Sequence, residues 1–318
     1  MWRWSIAEMQ LLPKRSLINR MLILQQCLLR RRRAVMNDKT LITIWGSPSS
    51  GKTVTAVKLA QAFANRKQNV LLLCSDALCP SAATIAPKGS ANHASLGELL
   101  SLPALSQEDI LHYALPLDVS PHIALLGYKK GDNSFSYATY SRERAVDLLT
   151  LARHLADVVI VDCSSYLSAD LLSVIALELA DQVVRIHSCD LKSLMFYASY
   201  LPLLTDHRFR RSSVVPVLSK VKPDQDSNQY SQIFGGIDIT LPYLMQIEQQ
   251  VATAQLLEDC SGKEAAAYLQ GIHSLIEHLL PAKPTTTPPK RADSFGPSLS
   301  YFKNVLNRLS RTNRGDRS

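Results

Sequence analysis

Gly46-Ser47-Pro48-Ser49-Ser50-Gly51-Lys52-Thr53 is the stretch that decides how the rest of this chain is read. It fits the Walker A form G-x-x-x-x-G-K-[ST]. The apolar run Leu41-Ile-Thr-Ile-Trp45 precedes it and the helical period Thr53 to Asn65 follows, so the context is strand, loop, helix. The two glycines let the backbone curl until its N–H groups point at phosphate oxygens, and the helix behind adds the positive end of its dipole. All eight residues, Gly46 through Thr53, are therefore expected to hold a nucleotide, with Lys52 reaching the β- and γ-phosphates and Thr53 binding Mg²⁺. A chance glycine-rich turn would not carry the full spacing between a strand and a helix.

Outward from this loop the pattern alternates. Short, nearly continuous apolar runs occur at Leu41 to Trp45, Val70 to Cys74, Ile123 to Leu126, Val158 to Val161, Val183 to Ile186 and Val214 to Leu218. Such runs suit strands buried on both faces. Helical periods lie between most of them, at Thr53 to Asn65, Ser106 to Ala114, Ser141 to Leu155 and Ser168 to Leu179. Alternation of this kind predicts an α/β fold, a doubly wound and mostly parallel sheet, over residues 36–280. Ligands of such sheets bind beyond the carboxyl ends of the strands, where the quoted loop sits. Leu241 to Leu280 is expected to be helical.

Two acids join the loop as candidate catalytic residues beside Lys52. Asp162 ends the apolar run Asp157-Val-Val-Ile-Val-Asp162, the Walker B arrangement in which a carboxylate at a strand tip holds Mg²⁺ together with Thr53. Asp76 ends Val70-Leu-Leu-Leu-Cys-Ser-Asp76 and stands to orient the attacking water or reach the metal through water. A turn-capping role for Asp76 stays open beside it. From Tyr128 to Arg144, the aromatics Tyr128, Phe135, Tyr137 and Tyr140 interleave with Lys129, Lys130, Arg142 and Arg144. Three uses fit: stacking on bases, folding over the sheet edge, or offering a cation to a neighbouring subunit's phosphates. The six cysteines show no zinc spacing. Three of them, Cys74, Cys163 and Cys189, fall at strand ends, where a redox-sensitive site and plain buried thiols are both open.

Net charge is +8, unevenly spread. Residues 1–35 carry eight Lys/Arg against one acid and residues 281–318 eight against two, so the remainder is mildly acidic. The leader, residues 1–35, has its arginines after its apolar part, the reverse of a secretory signal. It reads as a disordered or membrane-resting basic segment, or as an upstream extension of a chain starting at Met36. No run approaches the roughly 18 apolar residues of a spanning helix. Residues 281–297 read as a Pro/Thr-rich linker, 298–311 as a basic amphipathic helix with Leu299, Phe302, Leu306 and Leu309 on one face, and 312–318 as a disordered end. That tail is a candidate anchor for an anionic membrane surface, with non-specific DNA as the other anionic partner.

With these motifs in place the chain resembles the ParA/MinD group of P-loop ATPases, including ParA-like proteins and the TadZ/CpaE relatives of pilus systems. The likeness spans about residues 40–280. It rests on the Walker A loop and its helix, the strands ending at Asp76 and Asp162, Ala176-Leu-Glu-Leu-Ala-Asp-Gln-Val-Val-Arg185, and the stretches Leu241-Pro-Tyr-Leu and Val251-Ala-Thr-Ala-Gln-Leu-Leu. The resemblance implies ATP and Mg²⁺ as cofactors, slow hydrolysis, an ATP-dependent homodimer and a cytoplasmic protein at the inner membrane face or the nucleoid. Its implied role is to position DNA or a surface machine in partition, pilus assembly or conjugation. Three positions depart from the group. Ser47 stands where a signature lysine crosses to the partner subunit, Cys163-Ser164-Ser165 follows the acid where proline or glycine is usual, and Leu218-Ser219-Lys220 lacks a base-reading asparagine. The departures keep open a non-hydrolysing scaffold of a pilus or secretion system. A bacterial tyrosine-kinase-like ATPase is the other alternative, although the tail has only Tyr301.

Overall fold

The computed structural model describes residues 39–87, 94–209 and 212–280. The expected leader, linker, amphipathic helix and chain end lie outside them. An eight-stranded sheet runs in the order β3-β4-β2-β5-β1-β6-β7-β8, built from β1 (Thr40–Gly46), β2 (Val70–Cys74), β3 (Leu115–Leu117), β4 (Ser120–Gly127), β5 (Val158–Asp162), β6 (Gln182–Ser188), β7 (Ser213–Val221) and β8 (Ile239–Pro242). Every neighbouring pair is parallel except β3 with β4. This is the α/β, doubly wound, mostly parallel sheet that the alternation predicts.

Period-two geometry explains why the central strands are apolar throughout. In β1, Ile42 and Ile44 enter one core, while Leu41 and Trp45 enter the other. In β5, Val158 and Ile160 face the first and Val159 and Val161 the second. Each core is closed by helices. Ala56, Val57, Leu59, Ala60 and Phe63 of α1 (Lys52–Asn65) fill the first, together with residues of the C-terminal helix. Short helices α2 (Ala82–Ile85), α3 (Leu96–Leu100) and α4 (Gln107–Tyr113) lead to α5 (Arg142–Leu155) and α6 (Leu171–Leu179), whose Leu148, Leu149, Leu172 and Ile175 fill the second.

Two stretches differ from the sequence expectation. No helix is expected between β6 and β7, yet α7 (Leu191–Leu204) lies there, capped by Asp190 and with Pro202 inside its last turn. Its Phe196 and Tyr200 rings each stand 5.3 Å from Trp45, which packs α7 directly on β1. The segment expected to be helical from Leu241 starts instead as strand. Ile239 and Leu241 of the four-residue β8 point into the first core, and Pro242, poor in a helix interior, ends the strand. Helices α8 (Ser227–Ile233), α9 (Met245–Ala252) and α10 (Lys263–Leu279) complete the described α-helices. Gly271 lets α10 lie on β8, since a β-carbon there would fall 2.7 Å from the Thr240 carbonyl oxygen. Lys58 of α1 donates to the carbonyls of Leu256 and Glu258 at 2.8 and 2.7 Å, which ties the segment after α9 to the helix behind the phosphate loop.

Candidate functional site

The tips of β2, β5, β1 and β6 lie side by side, and the expected site residues gather there. Gly46 ends β1 with no room for a side chain: a β-carbon would sit 2.2 Å from the Ile186 carbonyl oxygen of β6. The loop then folds on the Ser47 carbonyl, which accepts from the Ser50 amide at 3.3 Å, the Ser50 hydroxyl at 2.7 Å and Lys52 Nζ at 3.3 Å. Ser49 and Gly51 take positive φ, 62° and 96°. Gly51 caps α1 without a side-chain bond, and no acid lies in the first turn. The helix N-terminus therefore presents amides and partial positive charge with no acid of its own first turn to neutralise them.

Lys52 emerges from that terminus and donates to Ser165 Oγ at 2.5 Å. Burial lowers its pKa, while Asp162 and Asp76 pull it back up. Asp162, at the end of β5, is 2% exposed. Its Oδ2 accepts from the Thr53 hydroxyl at 2.6 Å, and among the described residues its Oδ1 has no hydrogen-bond partner. Burial pushes this carboxyl up to about 6, against the Thr53 bond and the Lys52 charge. A buried carboxylate oxygen left bare beside a threonine hydroxyl fits Mg²⁺, which takes one or two protein oxygens and completes its shell with water and phosphate. Among the described residues no cluster of three His, Cys, Asp or Glu offers a self-contained metal site.

Asp76 lies within electrostatic reach of Lys52 and Asp162. Its Oδ1 accepts from the Leu78 and Cys79 amides at 2.9 and 3.3 Å, so the turn-capping geometry is present. Ser47 turns inward: 3% exposed, it donates to Ser193 Oγ on the first turn of α7 at 3.1 Å.

The Tyr128 to Arg144 segment folds down rather than standing free. Tyr137 covers Gly97, its Cδ2 2.1 Å from where a β-carbon would be, and its hydroxyl donates to Asp132. Of the aromatics only Phe135 is open, at 95% exposure. Lys129 pairs with Glu98, Arg142 with Glu178, and Arg144 donates to the Pro103 carbonyl. Cys74, Cys163 and Cys189 are buried, with burial pushing each thiol up, which disfavours the reactive thiolate.

Several residues of the site carry no motif signal. Asp170 is buried and accepts from the Ser75 and Ser173 hydroxyls, from the Leu172 amide and from Tyr140. Ser173 in turn accepts from the Ser164 amide at 2.9 Å, so this network braces the segment that carries Ser165. Beside the loop opens a cavity of about 290 Å³, with Gly51, Thr53 and Val54 on one side, Ser219 and Lys220 at the β7 tip, and Tyr243, Leu244, Ile247 and Val251 opposite. A mostly apolar slot next to a phosphate cradle has the shape and chemistry for a nucleobase.

The profile of a family described as Chromatin associated protein KTI12 matches residues 40–92, the phosphate loop with its flanking elements. No curated protein matches the sequence. Solved structures match the fold across three quarters of the chain. A ParA family ATPase from Chlorobium tepidum TLS superposes with a TM-score of 0.61 at 18% identity, covering 77% of this chain and all of that one. The septum site-determining protein MinD of Pyrococcus horikoshii OT3, complexed with Mg-ADP, gives 0.55 at 14% identity over 75% of this chain and 96% of its own. A candidate plasmid partition protein from Borrelia burgdorferi B31 bound to AMPPNP gives 0.57 at 16% identity, covering 76% of this chain and 100% of that one. The chain has the fold of the ParA/MinD-type P-loop ATPases.

Proposed function

We propose that this chain, folded as a ParA/MinD-type P-loop ATPase, is itself a Mg²⁺-dependent, slowly hydrolysing ATP switch. The observation that carries this reading is the bare Oδ1 of Asp162, buried beside the Thr53 hydroxyl at the mouth of an uncapped phosphate loop. Loop amides from Gly46 to Thr53 and the Lys52 ammonium hold the phosphates, and the apolar slot takes adenine. Thr53 and Asp162 would hold Mg²⁺, which would supply positive charge against that developing on the phosphates. Lys52 adds its own charge from the helix side, and Asp76 orients the attacking water with the oxygen that does not cap its turn. Mg-ADP and AMPPNP in the matching MinD and partition structures support the same ligands here.

The switch acts as an ATP-dependent homodimer. Supporting this, Leu78, Tyr166, Leu191 and Met195 are exposed apolar residues just past the tips of β2, β5 and β6, around the phosphate loop. No helix among the described residues is long and apolar enough to cross a membrane. A cytoplasmic protein that positions DNA or a membrane machine, drawn to an anionic surface by residues 298–311, is consistent with that. Calorimetric titration of ATP tests the core of the reading. Binding that Lys52→Ala abolishes is the expected outcome; equal affinity of wild type and variant refutes it.

A second reading, a scaffold that binds nucleotide without turnover, is favoured by Ser47. Buried against Ser193, it leaves no cation at the second loop position to reach a partner's phosphates. Hydrolysis no faster than that of Asp162→Ala would select it.

A further inference from the structure

Lys220 stands in the cavity at a place that no motif marks. The pairing of β7 with β8 sets Ser219 opposite Leu241 and then Val221 opposite Pro242, so Lys220 is the extra residue of a bulge. It takes a φ of +58°. Glycine is the usual occupant of a left-handed bulge position, because an L side chain there crowds the backbone. Here the position holds a long cation, and bulges beside sites re-aim side chains. This one is aimed at the phosphate loop: Cγ and Cδ of Lys220 each lie 3.7 Å from where a β-carbon on Gly51 would stand. The residue lines the cavity together with Lys52 and Thr53. Among the described residues its ammonium has no acidic or hydrogen-bonding partner, whereas Lys129 and Arg142 are both ion-paired.

The charge balance of the site gives that ammonium a task. A nucleoside triphosphate brings several negative charges next to Asp162 and Asp76, which already act on Lys52. Ser47, turned inward, contributes no cation. Phosphate oxygens form their strongest hydrogen bonds with charged donors.

We propose that Lys220 is the second cation of the nucleotide site, supplied by the same subunit, pairing with the phosphate chain from the β7 side while Lys52 approaches from α1. This rests on the cavity being a nucleotide site. Lys220→Met keeps the stem and removes the charge, Lys220→Arg keeps the charge, and Lys220→Gly removes the whole side chain while suiting the left-handed backbone.

Calorimetric titration of ATP at low and high salt, about 0.05 and 0.5 M, separates the possibilities because exposed charge contacts are screened. Lys220→Met and Lys220→Gly are expected to weaken ATP roughly tenfold at low salt, the size of one charge-assisted contact. The deficit should narrow at high salt, and Lys220→Arg should bind as wild type does. Wild-type affinity in Lys220→Met overturns the proposal, as does a deficit equal at both salts, which would mean packing by the stem. Wild-type binding that Lys52→Ala abolishes and Lys220→Met leaves untouched rejects this proposal alone. No ATP binding by the wild type rejects the nucleotide site as well.

Discussion

The Thr53 hydroxyl donates to Asp162 Oδ2 at 2.6 Å, while among the described residues the other oxygen of the same buried carboxyl has no hydrogen-bond partner. One hydrogen bond does not offset the loss of water around a charge, which is why the carboxyl is pushed up to about 6. A folded-state pKa above the unfolded value means that the folded chain binds the extra proton. Its stability therefore falls as pH rises from about 4 through about 6 and stays lowered above that window. Asp162→Asn should make the ligand-free protein more stable at pH 8 by about 2 to 3 kcal/mol, a shift of some two units at ~1.4 kcal/mol each. In a melting experiment that is a gain of roughly 5 °C, shrinking towards zero at pH 4. The same variant should lose any effect of Mg²⁺ on ATP affinity. A lower melting temperature at pH 8 would mean that the charge is already compensated.

Lys52 and Ser165 make a second testable pair. Lys52 Nζ is held on Ser165 Oγ at 2.5 Å, on the segment braced by Ser173 and Asp170. A phosphate chain must draw the ammonium away from that hydroxyl. Ser165→Ala removes the competing bond, worth about 1 kcal/mol net, so ATP should bind roughly fivefold more tightly. Weaker binding, measured by the same titration as for the wild type, would place Ser165 on the nucleotide instead.

The loop glycines differ in what they resist. Gly46→Ala would put a methyl group 2.2 Å from the Ile186 carbonyl oxygen, a clash between two neighbouring strands that cannot separate. It should cost about 3 kcal/mol or more and show as lost soluble protein or a much lower denaturation midpoint. Gly51→Ala meets Ser219 Oγ at a tolerable 3.1 Å, and its penalty is the left-handed φ of 96°. Here about 1 to 2 kcal/mol is expected, with a folded product whose ATP affinity is impaired.

The sheet and its phosphate loop were legible because each rests on local pattern. Runs such as Leu41 to Trp45 and Val158 to Val161 are apolar on both faces, and a Walker A loop is a contiguous code. β8 was hidden by length, four residues ending in proline, and α7 by its mixture of aromatics, serines and Pro202. The missed site residues were hidden for a different reason. Asp170 and Ser173 sit together at the start of α6, whereas Ser193 lies on α7 and Lys220 at the β7 tip, and their meaning lies in the distant groups they meet, Ser75, Ser47 and Gly51, a relation that spacing along the chain does not encode. Of the three uses open for the interleaved bases and aromatics of Tyr128 to Arg144, folding over the sheet edge is the one found, but with Lys129 and Arg142 ion-paired. Their partners, Glu98, Glu178 and Asp170, lie 30 to 36 positions away in sequence.

Ser47 carries the last prediction, because the resemblance to lysine-bearing relatives suggests an obvious repair. Ser47→Lys would restore a cation at the second loop position. The site is not built to receive it: the Ser47 side chain is buried, its hydroxyl is bonded to Ser193 Oγ, and that oxygen also accepts from the Ser188 amide. A lysine placed there either buries an ammonium beside an Asp190 carboxylate already engaged in capping α7 or swings outward and pushes the start of α7 off the loop. Either route should destabilise the fold by about 2 to 4 kcal/mol. ATP-dependent dimerisation, followed by light scattering on a sizing column, should not improve. Pairing the change with Ser193→Gly, which opens space at the first turn of α7, should recover part of the lost stability. If Ser47→Lys alone melts like the wild type and dimerises more tightly with ATP, then α7 yields easily, and the buried serine is not a barrier to a cation shared between subunits.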